Sequence, residues 1–391
     1  MLCHRRPKNI KTGPLSAHHH PIELLPNSQS YTELTDNPTT MAPSQINEKS
    51  LVLLTGPNGF VGAHVLSGLL NAGYRVRGVV RSLTKASHLE KSHPQHVNSG
   101  NLTFEYVPDI QREGALDAAM AEVDFCCHVA SPYFTTSDNP LQDLIEPAFN
   151  GTRIVMASAL KSTTLKRLTV LSSFASVVDL AKNPRPGYVY TSSDWNPLTV
   201  AEGAKDGYLG YHVSKTEAEK VAWEMHKNAN PPARFDITTF CPPMIYGPPL
   251  HEVDPTAGIA GLNTSLKRLL SSVTGQDPSD PGRVPTFGLP AFVDVRNVAD
   301  AHVAALRLKK GVSERFTLCG GMAYFENGLE GLRAAGEQGL GREGDKIDLT
   351  AWYTIDRTRA EDVLGLKFIE FEETVADTWK WANEVGLVPR I

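Results

Sequence analysis

The sequence has few cysteines, and their arrangement argues against a chain held together by disulfides. There are five among its 391 residues, an odd number, and no two are spaced C-x-x-C. Cys126 and Cys127 are adjacent within an apolar run, which is typical of the core of a strand rather than of a disulfide framework. Such a chain suits a reducing compartment, and we predict a cytoplasmic protein.

The sequence also lacks a strong excess of charge and long apolar runs. Its formal net charge is −5 at pH 7, and it has no basic stripe that would favour nucleic acid as a partner. No apolar run approaches the roughly 18–20 residues that a membrane-spanning helix needs. With 41% hydrophobic and 21% charged residues, the composition is that of a globular chain with one large domain or two smaller ones.

Residues 1–48 lack the apolar periodicity of a folded segment. They contain six prolines and many Ser, Thr and Asn residues. Because they bury too little apolar surface to offset the entropy of ordering, we predict a disordered tail. Three consecutive histidines, at 18–20, cannot preorganise a metal site in such a tail, and we predict no metal. Basic residues before the first acid, Glu23, leave a mitochondrial presequence as an alternative.

From residue 50 onwards, short apolar runs alternate with helical patterns. The predicted strands cover 51–54, 75–80, 102–107, 123–129 and 165–171, and the predicted helices cover 60–72 and 141–160. Strands that alternate with helices of this length are typical of βαβ units. We therefore predict an α/β fold with a doubly wound, parallel sheet of the Rossmann type.

A glycine pattern stands between the first predicted strand and the first predicted helix. The segment Thr55-Gly-Pro-Asn-Gly-Phe-Val-Gly62 contains G-x-x-G-x-x-G. Glycines let the chain turn sharply and let its backbone approach a pyrophosphate, and the following helix N-terminus supplies N–H donors. Between a strand and a helix, the pattern predicts a dinucleotide site. Its predicted residues are Gly56, Asn58, Gly59, Phe60, Val61 and Gly62.

The end of the second predicted strand indicates which dinucleotide binds. Sites selective for NAD carry an acidic residue about 20 residues past the glycines, where it holds the ribose 2′-hydroxyl. In this chain Arg81 lies 19 residues after Gly62, and Lys85 follows four residues later. A cation there attracts the 2′-phosphate, so we predict NADP(H), held by Arg81 and Lys85. The alternative is an ordinary solvated arginine after a strand.

Tyr211 is the one tyrosine with a lysine four residues later, Lys215. In a helix the two side chains lie on one face, and the ammonium makes the phenol a better proton donor near neutral pH. Ser173 ends a predicted strand 38 residues earlier, at the sheet edge where ligands bind. Hydride transfer to a carbonyl needs an acid at its oxygen, so these three are the predicted catalytic residues. The alternative for the pair is chance spacing on an amphipathic helix.

Further motifs follow these segments in order. They are Val-Arg-Gly-Val-Val-Arg-Ser (76–82), Cys-His-Val-Ala-Ser-Pro (127–132), Asn-Gly-Thr (150–152), Leu-Ser-Ser (171–173), Asp-Trp-Asn-Pro (194–197), Pro-Pro-Met-Ile-Tyr-Gly-Pro (242–248) and Phe-Val-Asp-Val-Arg-Asn-Val-Ala-Asp-Ala-His (292–302). With the glycine loop and the Tyr–Lys pair, they make residues 50–388 resemble the extended short-chain dehydrogenases/reductases. The similarity is to the branch of dihydroflavonol reductases and fungal methylglyoxal, aldehyde and ketone reductases.

The resemblance implies a role for each matching residue. Ser173 would bind the substrate carbonyl, with Ser172 as the neighbour most easily confused with it. Tyr211 would be the proton donor, and Lys215 would bind the hydroxyls of the nicotinamide ribose. The other implied cofactor residues are Asp109 and Ile110 near the adenine, Val129 and Ala130 along the cofactor, and Pro242 to Met244 near the nicotinamide.

Two residues depart from the family pattern. Phe174 stands where a small residue is common, and we expect it to narrow the substrate pocket. Asn297 replaces a frequent Asp, and we expect its effect to be confined to helix capping, where Asn serves well.

The resemblance also implies a domain organisation. The NADP-binding domain would cover 49–241. Residues 242–391 would mainly form a smaller, discontinuous substrate-binding region, with segments near 284–312 and 351–360 returning to the first domain. Aromatic residues suited to an apolar or planar carbonyl compound are the candidate substrate contacts. They are Tyr133, Phe134, Phe174, Tyr208 and Tyr246.

These patterns predict an NADPH-dependent oxidoreductase that reduces a small aldehyde or ketone to the alcohol, as a monomer or a homodimer. Two alternatives remain. An epimerase or dehydratase that retains NAD usually needs an acid where Arg81 stands. A non-catalytic NADP-sensing regulator typically lacks the Tyr or the Lys, and this chain has both.

Overall fold

The computed structural model describes residues 50–131, 137–275, 290–344 and 346–388. The predicted disorder of residues 1–48 lies outside this part of the chain, and so do the candidate substrate contacts Tyr133 and Phe134. Within the described part, no helix combines the length and the apolar character that crossing a membrane requires.

Strands and helices alternate along the described chain. The strands are β1 (Leu51–Thr55), β2 (Arg75–Val80), β3 (Leu102–Tyr106), β4 (Phe125–His128), β5 (Arg167–Leu171), β6 (Val189–Tyr190), β7 (Asp236–Cys241), β8 (Met244–Tyr246), β9 (Ala291–Asp294), β10 (Glu314–Thr317), β11 (Gly321–Met322) and β12 (Thr354–Ile355). The α-helices are α1 (Phe60–Asn71), α2 (Leu83–Ser92), α3 (Pro94–Asn98), α4 (Glu146–Lys161), α5 (Val200–Gly203), α6 (Gly207–Lys227), α7 (Thr264–Val273), α8 (Val295–Ala305), α9 (Phe325–Ala334), α10 (Thr358–Leu364) and α11 (Phe371–Glu384).

Seven of these strands form one parallel sheet in the order β10-β7-β5-β4-β1-β2-β3. In β1, Val52 and Leu54 enter the apolar core on one face of the sheet, and Leu51 and Leu53 enter the core on the other. A strand buried on both faces needs a nearly continuous apolar sequence, which is why this run could be recognised as a strand. The predicted α/β fold with a doubly wound parallel sheet is confirmed.

The strand order reverses between β1 and β4, and this reversal positions the site. From β1 the chain proceeds outwards through β2 to β3, whereas β4, β5, β7 and β10 extend to the other side. The loops that follow β1 and β4 therefore leave the sheet in opposite directions, and a crevice opens between them at the carboxyl ends of the strands. The glycine loop follows β1 directly, and Ser172 and Ser173 follow β5.

A second apolar core lies around a small sheet, with the strand order β11-β9-β8. Leu266 of α7, Phe325 of α9 and Trp379 of α11 pack together in this core. By contrast, Val298 of α8 and Ala360 of α10 belong to the core of the large sheet. Helix α8 lies within the first of the two segments expected to return to the first domain, and α10 begins within the second. The domain boundaries stay a prediction.

Asn297 does not have the expected capping role. The cap of α8 is Asp294, whose Oδ1 accepts a hydrogen bond from the Arg296 backbone N–H at 2.8 Å. Asn297 instead bridges to the segment before α11. Its amide nitrogen donates to the Lys367 carbonyl at 2.8 Å, and its Oδ1 accepts from the Ile369 N–H at 2.8 Å. The position uses both a donor and an acceptor, and an ionised Asp would lack the donor.

Candidate active site

A cavity of about 1220 Å³ lies at the carboxyl ends of the parallel strands. The segments that follow β1, β2, β3, β4, β5 and β7 form its walls, together with α6 and α7. Ligands bind at this edge in open α/β sheets. The cavity therefore brings together chain segments from Thr55 to Tyr353, which lie 298 residues apart in the sequence.

The glycine loop at one end of the cavity has a shape that larger residues cannot adopt. Gly56 has a φ of +70°, and a Cβ there would lie 3.1 Å from the Ala130 Cα. A Cβ at Gly62 would lie 1.9 Å from the Gly56 carbonyl oxygen, well inside van der Waals contact. The close approach of α1 to the loop therefore depends on the missing side chain at Gly62.

The N-terminus of α1 faces the cavity with its N–H groups. The helix follows Gly59, which provides no side-chain cap, and its first turn contains no acidic residue. These N–H groups and the positive end of the helix dipole are available to an anion. All six predicted residues of the loop line the cavity. The loop and helix thus fit the pyrophosphate of a dinucleotide.

The structure separates the two cations that were predicted to bind the 2′-phosphate. Arg81 lines the cavity beyond the end of β2. Lys85 lies in α2, outside the lining residues, and its ammonium is 3.6 Å from a carboxylate oxygen of Glu252. The Ser82 hydroxyl caps α2 by accepting from the Lys85 N–H. Of the two cations, Arg81 is the one that lines the cavity, and the roles of both toward the phosphate stay predictions.

The remaining predicted cofactor residues all lie on the cavity wall. Asp109 also closes a local turn, because its Oδ1 accepts from the Gln111 N–H at 2.9 Å. These residues are Asp109, Ile110, Val129, Ala130, Pro242 and Met244. Their individual roles toward the cofactor stay predictions.

Thr55 joins β1 to β4 at the point where the strand order reverses. Its hydroxyl oxygen accepts from the backbone N–H groups of Val129 and Ala130, both at 3.1 Å, and lies 2.9 Å from Nδ1 of His128. Burial and, to a smaller extent, the positive charge of Lys215 together lower the pKa of His128 to about 4, so the imidazole is neutral near pH 7. Sequence reasoning assigned no role to either residue, although Thr55 begins the glycine segment and His128 lies within the 127–132 motif.

Ser173 and Tyr211 come together although they are 38 residues apart. Ser173 follows β5 and caps a short 3₁₀ turn, its Oγ accepting from the Ala175 N–H at 3.1 Å. Tyr211 lies in α6, and its phenolic oxygen is 3.4 Å from that Oγ. Both side chains line the cavity. One carbonyl oxygen can accept hydrogen bonds from both hydroxyls at this separation.

The structure distinguishes Ser173 from its neighbour Ser172. The Ser172 hydroxyl donates to Oε2 of Glu219 at 2.6 Å, in the buried interior between the sheet and α6. A hydroxyl held by a buried carboxylate is not available to a substrate. Ser173 is therefore the serine placed to meet Tyr211.

Lys215 lies one helical turn after Tyr211 and also lines the cavity. Its ammonium is buried, which lowers the pKa of Lys215 to about 8, and the negative charge of Glu219 opposes this shift. At neutral pH the side chain is therefore mostly charged. A buried ammonium one helical turn from a phenol, with both residues on the cavity wall, has the chemistry expected of the predicted pair.

The aromatic candidates for substrate contact divide into two groups. Phe174 and Tyr208 line the cavity. Tyr246 does not: it is fully buried, and its ring packs against Phe325 and Phe371 at centroid distances of 6.3 and 6.2 Å. The expectation that Tyr246 lines the pocket is corrected accordingly. Tyr353, which sequence reasoning missed, lines the cavity and packs against Phe174 at 5.5 Å.

Other residues at the site also escaped prediction. Helix α7 contributes Thr264, Ser265 and Arg268 to the cavity wall. A helical sequence pattern alone does not show which face of a helix lines a site. Across the described ranges, no three His, Cys, Asp or Glu side chains form a group that could hold a metal ion.

Comparison with protein families gives one match that covers most of the chain. The model of the "NAD dependent epimerase/dehydratase family" matches residues 52–319. The match begins in β1 and ends after β10, so it spans the whole large sheet and every catalytic candidate.

Individual relatives resemble the chain over nearly their full length. A putative uncharacterized oxidoreductase of Schizosaccharomyces pombe is 35% identical over 345 residues, which is 85% of this chain and 98% of the relative. The ketoreductase azaE of Aspergillus niger is 33% identical over 339 residues, 83% of this chain and 95% of the relative. Among solved structures, yeast methylglyoxal/isovaleraldehyde reductase Gre2 complexed with NADPH superposes with a TM-score of 0.77 at 27% identity, covering 86% of this chain and 100% of that chain.

Proposed function

The chain belongs to the NAD dependent epimerase/dehydratase family, and we propose that it reduces an aldehyde or ketone to the alcohol with NADPH, using Tyr211 as the proton donor. One observation carries the proposal: the Tyr211 phenol lies 3.4 Å from the Ser173 hydroxyl at the cavity wall, with Lys215 one turn away. The relatives named above as a ketoreductase and as an NADPH-bound aldehyde reductase support it.

The residues at the opposite end of the cavity would hold NADPH. The backbone of the Gly56–Gly62 loop and the first turn of α1 would bind the pyrophosphate, and Arg81 would bind the 2′-phosphate. When bound, NADPH supplies the hydride that the carbonyl carbon receives. Phe174, Tyr208 and Tyr353 would exclude water from the substrate end, where hydrogen bonds to the carbonyl oxygen are strengthened by the lower dielectric.

The side chains at the substrate end would stabilise the negative charge on the carbonyl oxygen and supply its proton. As negative charge develops on the carbonyl oxygen, Ser173 donates a hydrogen bond to it and Tyr211 transfers its proton, which leaves an alcohol and a phenolate. The Lys215 ammonium stabilises the phenolate by its positive charge until the phenolate takes a proton from solvent. The carbonyl is thus reduced by one hydride and one proton.

The test of this function is NADPH oxidation by the purified full-length protein, followed at 340 nm with a panel of carbonyl compounds. The panel should contain methylglyoxal, isovaleraldehyde and several ketones, since the relatives are named as reductases of such compounds. We expect turnover with NADPH on members of the panel. Tight NADPH binding without turnover on any of them would favour the sensing regulator, and retention of NAD through purification would favour the epimerase or dehydratase.

Replacing Ser173 by alanine should lower kcat by roughly 10²–10³-fold, because one donor to the developing oxyanion is lost. The matched control is Ser172→Ala at the adjacent position. That change removes one donor to Glu219 but keeps the Ser173 hydroxyl, so it should lower thermal stability and should lower kcat much less than Ser173→Ala does. Steady-state kinetics and thermal denaturation of both variants distinguish the two serines. Equal losses of kcat would contradict the assignment of Ser173.

Replacing Arg81 by aspartate should shift the cofactor preference toward NADH. The change removes charged hydrogen bonds worth about 1.5–3 kcal/mol to the 2′-phosphate, so KM for NADPH should rise at least roughly 10-fold. Lys85→Asp makes the same charge change outside the cavity lining and should have a much smaller effect. Comparison of kcat/KM for NADPH and NADH in both variants checks this, and an equal shift in both would contradict the special position of Arg81.

We also propose a reducing, cytoplasmic location. In the part of the chain that the structure describes, Cys126, Cys127, Cys241 and Cys319 are free and buried, and burial raises the pKa of Cys127 to about 12. Such thiols are poor nucleophiles and pack as small apolar side chains. Microscopy of a tagged protein tests the location, and sedimentation of the purified enzyme distinguishes the monomer from the homodimer.

A further inference from the structure

A buried carboxylate that the proposed reaction does not use lies directly beneath the catalytic residues. Glu219 follows Lys215 by one turn of α6, is 1% exposed and does not line the cavity. It accepts hydrogen bonds of 2.6 Å from the hydroxyls of Ser172, Ser176 and Thr239. Burying an ionised carboxylate costs free energy unless the carboxylate is paired and hydrogen-bonded. This complete set of partners therefore calls for an explanation.

Arg315 of β10 is the counter-ion of Glu219. Its Nε donates to Oε1 at 2.8 Å and its Nη2 donates to Oε2 at 3.1 Å, a bidentate pair. The guanidinium also donates to the backbone carbonyls of Ser192 and Asp194 and lies 3.8 Å from the centroid of the Trp195 ring. Arg315 is therefore fixed on every side, and it fixes the orientation of the carboxylate in turn.

The hydrogen bonds to Glu219 hold Ser173 in place relative to Tyr211. Ser172 precedes Ser173, and Ser176 ends the 3₁₀ turn that Ser173 caps. Both hydroxyls donate to the same oxygen, Oε2 of Glu219, at 2.6 Å. The segment with Ser173 is thus attached at two points to α6, the helix that carries Tyr211 and Lys215. The distance between the Ser173 and Tyr211 oxygens follows from this attachment.

Glu219 also supplies the negative charge that most raises the pKa of Lys215, against the larger effect of burial. The groups that face Lys215 are Glu219 on its own helix, the Cys241 thiol from β7 and the neutral imidazole of His128 from β4. Burial raises the pKa of Cys241 to about 12, so the thiol is uncharged near neutral pH and Glu219 is the anion that keeps Lys215 protonated. Arg315 in turn lowers the pKa of Glu219, against the effect of burial.

We propose that Glu219, held by Arg315, is a positioning residue of the reductase: it sets the alignment of Ser173 with Tyr211 and maintains the charge of Lys215 without contacting substrate or cofactor. This inference rests on the proposed function. A buried ion pair often adds little net stability over apolar residues of the same size, so stability alone does not account for the arrangement.

The decisive variant is Glu219→Gln, which keeps the size of the side chain and removes its charge. In the cofactor-free protein, the titration midpoint of Lys215, followed by NMR of ¹³C-labelled lysine side chains, should fall by roughly one to two units. The reason is that a buried cation loses the anion that favours its charged form. In the enzyme assay, kcat should fall roughly 10–10²-fold, and the alkaline limb of its pH profile should move to lower pH by a similar interval.

Two matched variants separate charge from alignment. Glu219→Asp keeps the charge and should restore most of the Lys215 midpoint. Ser176→Ala removes one of the two attachments of the Ser173 segment without a charge change. It should lower kcat with no movement of the alkaline limb or of the Lys215 midpoint, and it remains informative if Glu219→Gln fails to fold.

The proposal is overturned if the Lys215 midpoint and the alkaline limb in Glu219→Gln coincide with those of the wild type, because a purely structural residue would change only stability and amount of folded enzyme. It is also overturned if Ser176→Ala has the kcat of the wild type. Failure of the proposed function has a different signature, since the wild-type protein would then oxidise no NADPH with any carbonyl compound.

Discussion

Replacing Tyr211 by phenylalanine should lower kcat by roughly 10²–10⁴-fold, the usual contribution of a positioned general acid. The phenolic oxygen is the group placed 3.4 Å from the Ser173 hydroxyl at the cavity wall, and phenylalanine removes only that atom. The ring, the helix and the glycine loop are unchanged, so the dissociation constant for NADPH should stay within about threefold of its starting value. Pre-steady-state and steady-state assays of NADPH oxidation, with fluorescence titration of NADPH, measure the two effects separately.

The control for this variant is Tyr208→Phe, one turn earlier in α6. Tyr208 also lines the cavity, but its side chain is 43% exposed, whereas the hydroxyl that meets Ser173 belongs to Tyr211. We expect a change in KM for the carbonyl compound and a kcat near that of the wild type. Near-normal turnover in Tyr211→Phe would show that another group delivers the proton.

Replacing Gly62 by alanine should destabilise the protein by about 3 kcal/mol and weaken NADPH binding by at least roughly 10-fold. The new Cβ would lie 1.9 Å from the Gly56 carbonyl oxygen, so α1 and the loop must move apart. That movement withdraws N–H donors from the pyrophosphate, and each charged hydrogen bond that is lost costs about 1.5–3 kcal/mol. Thermal denaturation without cofactor and a binding titration with NADPH give the two quantities.

The same loop contains a matched control. A Cβ at Gly59 would lie 3.5 Å from the Gly56 oxygen, an ordinary contact, and Gly59 has a φ of −88°, which any residue adopts. Gly59→Ala should therefore keep the stability of the wild type without cofactor. If Gly62→Ala were as stable as Gly59→Ala, the close approach of α1 to the loop would not require glycine at position 62.

The architecture could be predicted from the sequence because its signals are local. The run Leu51–Thr55 is apolar throughout since both faces of β1 are buried, and the glycines follow it immediately. Neighbouring elements of this kind admit very few topologies. The catalytic candidates could be proposed because Ser173 directly follows a strand and Tyr211 and Lys215 share one face of a helix.

Residues whose position depends on distant packing could not be found in this way. Tyr246 follows Met244 of the cavity wall by two residues, about 6–7 Å along an extended strand. That distance takes it past the cavity and into the core around Phe325 and Phe371. Sequence proximity predicted a shared site for Tyr246, and the direction of the backbone places the side chain elsewhere.

The burial of Glu219 also depends on distant packing and could not be predicted from the sequence. An acid four residues after Lys215 in a helix has the appearance of a surface ion pair, and nothing nearby in the sequence marks it as buried. Its counter-ion is 96 residues away, on a strand that the catalytic segments do not predict.

The separation of Glu219 from Arg315 along the chain has a consequence for folding during translation. A nascent chain that has emerged only to the end of β7 contains Ser173, Tyr211, Lys215 and Glu219, but the arginine that neutralises the carboxylate has not yet been translated. Burying that carboxylate without its counter-ion is unfavourable, so we expect the packing of α6 against the sheet to be weaker until β10 is in place. A chain that ends before residue 315 lacks this counter-ion, and we expect it to be less stable around the catalytic centre.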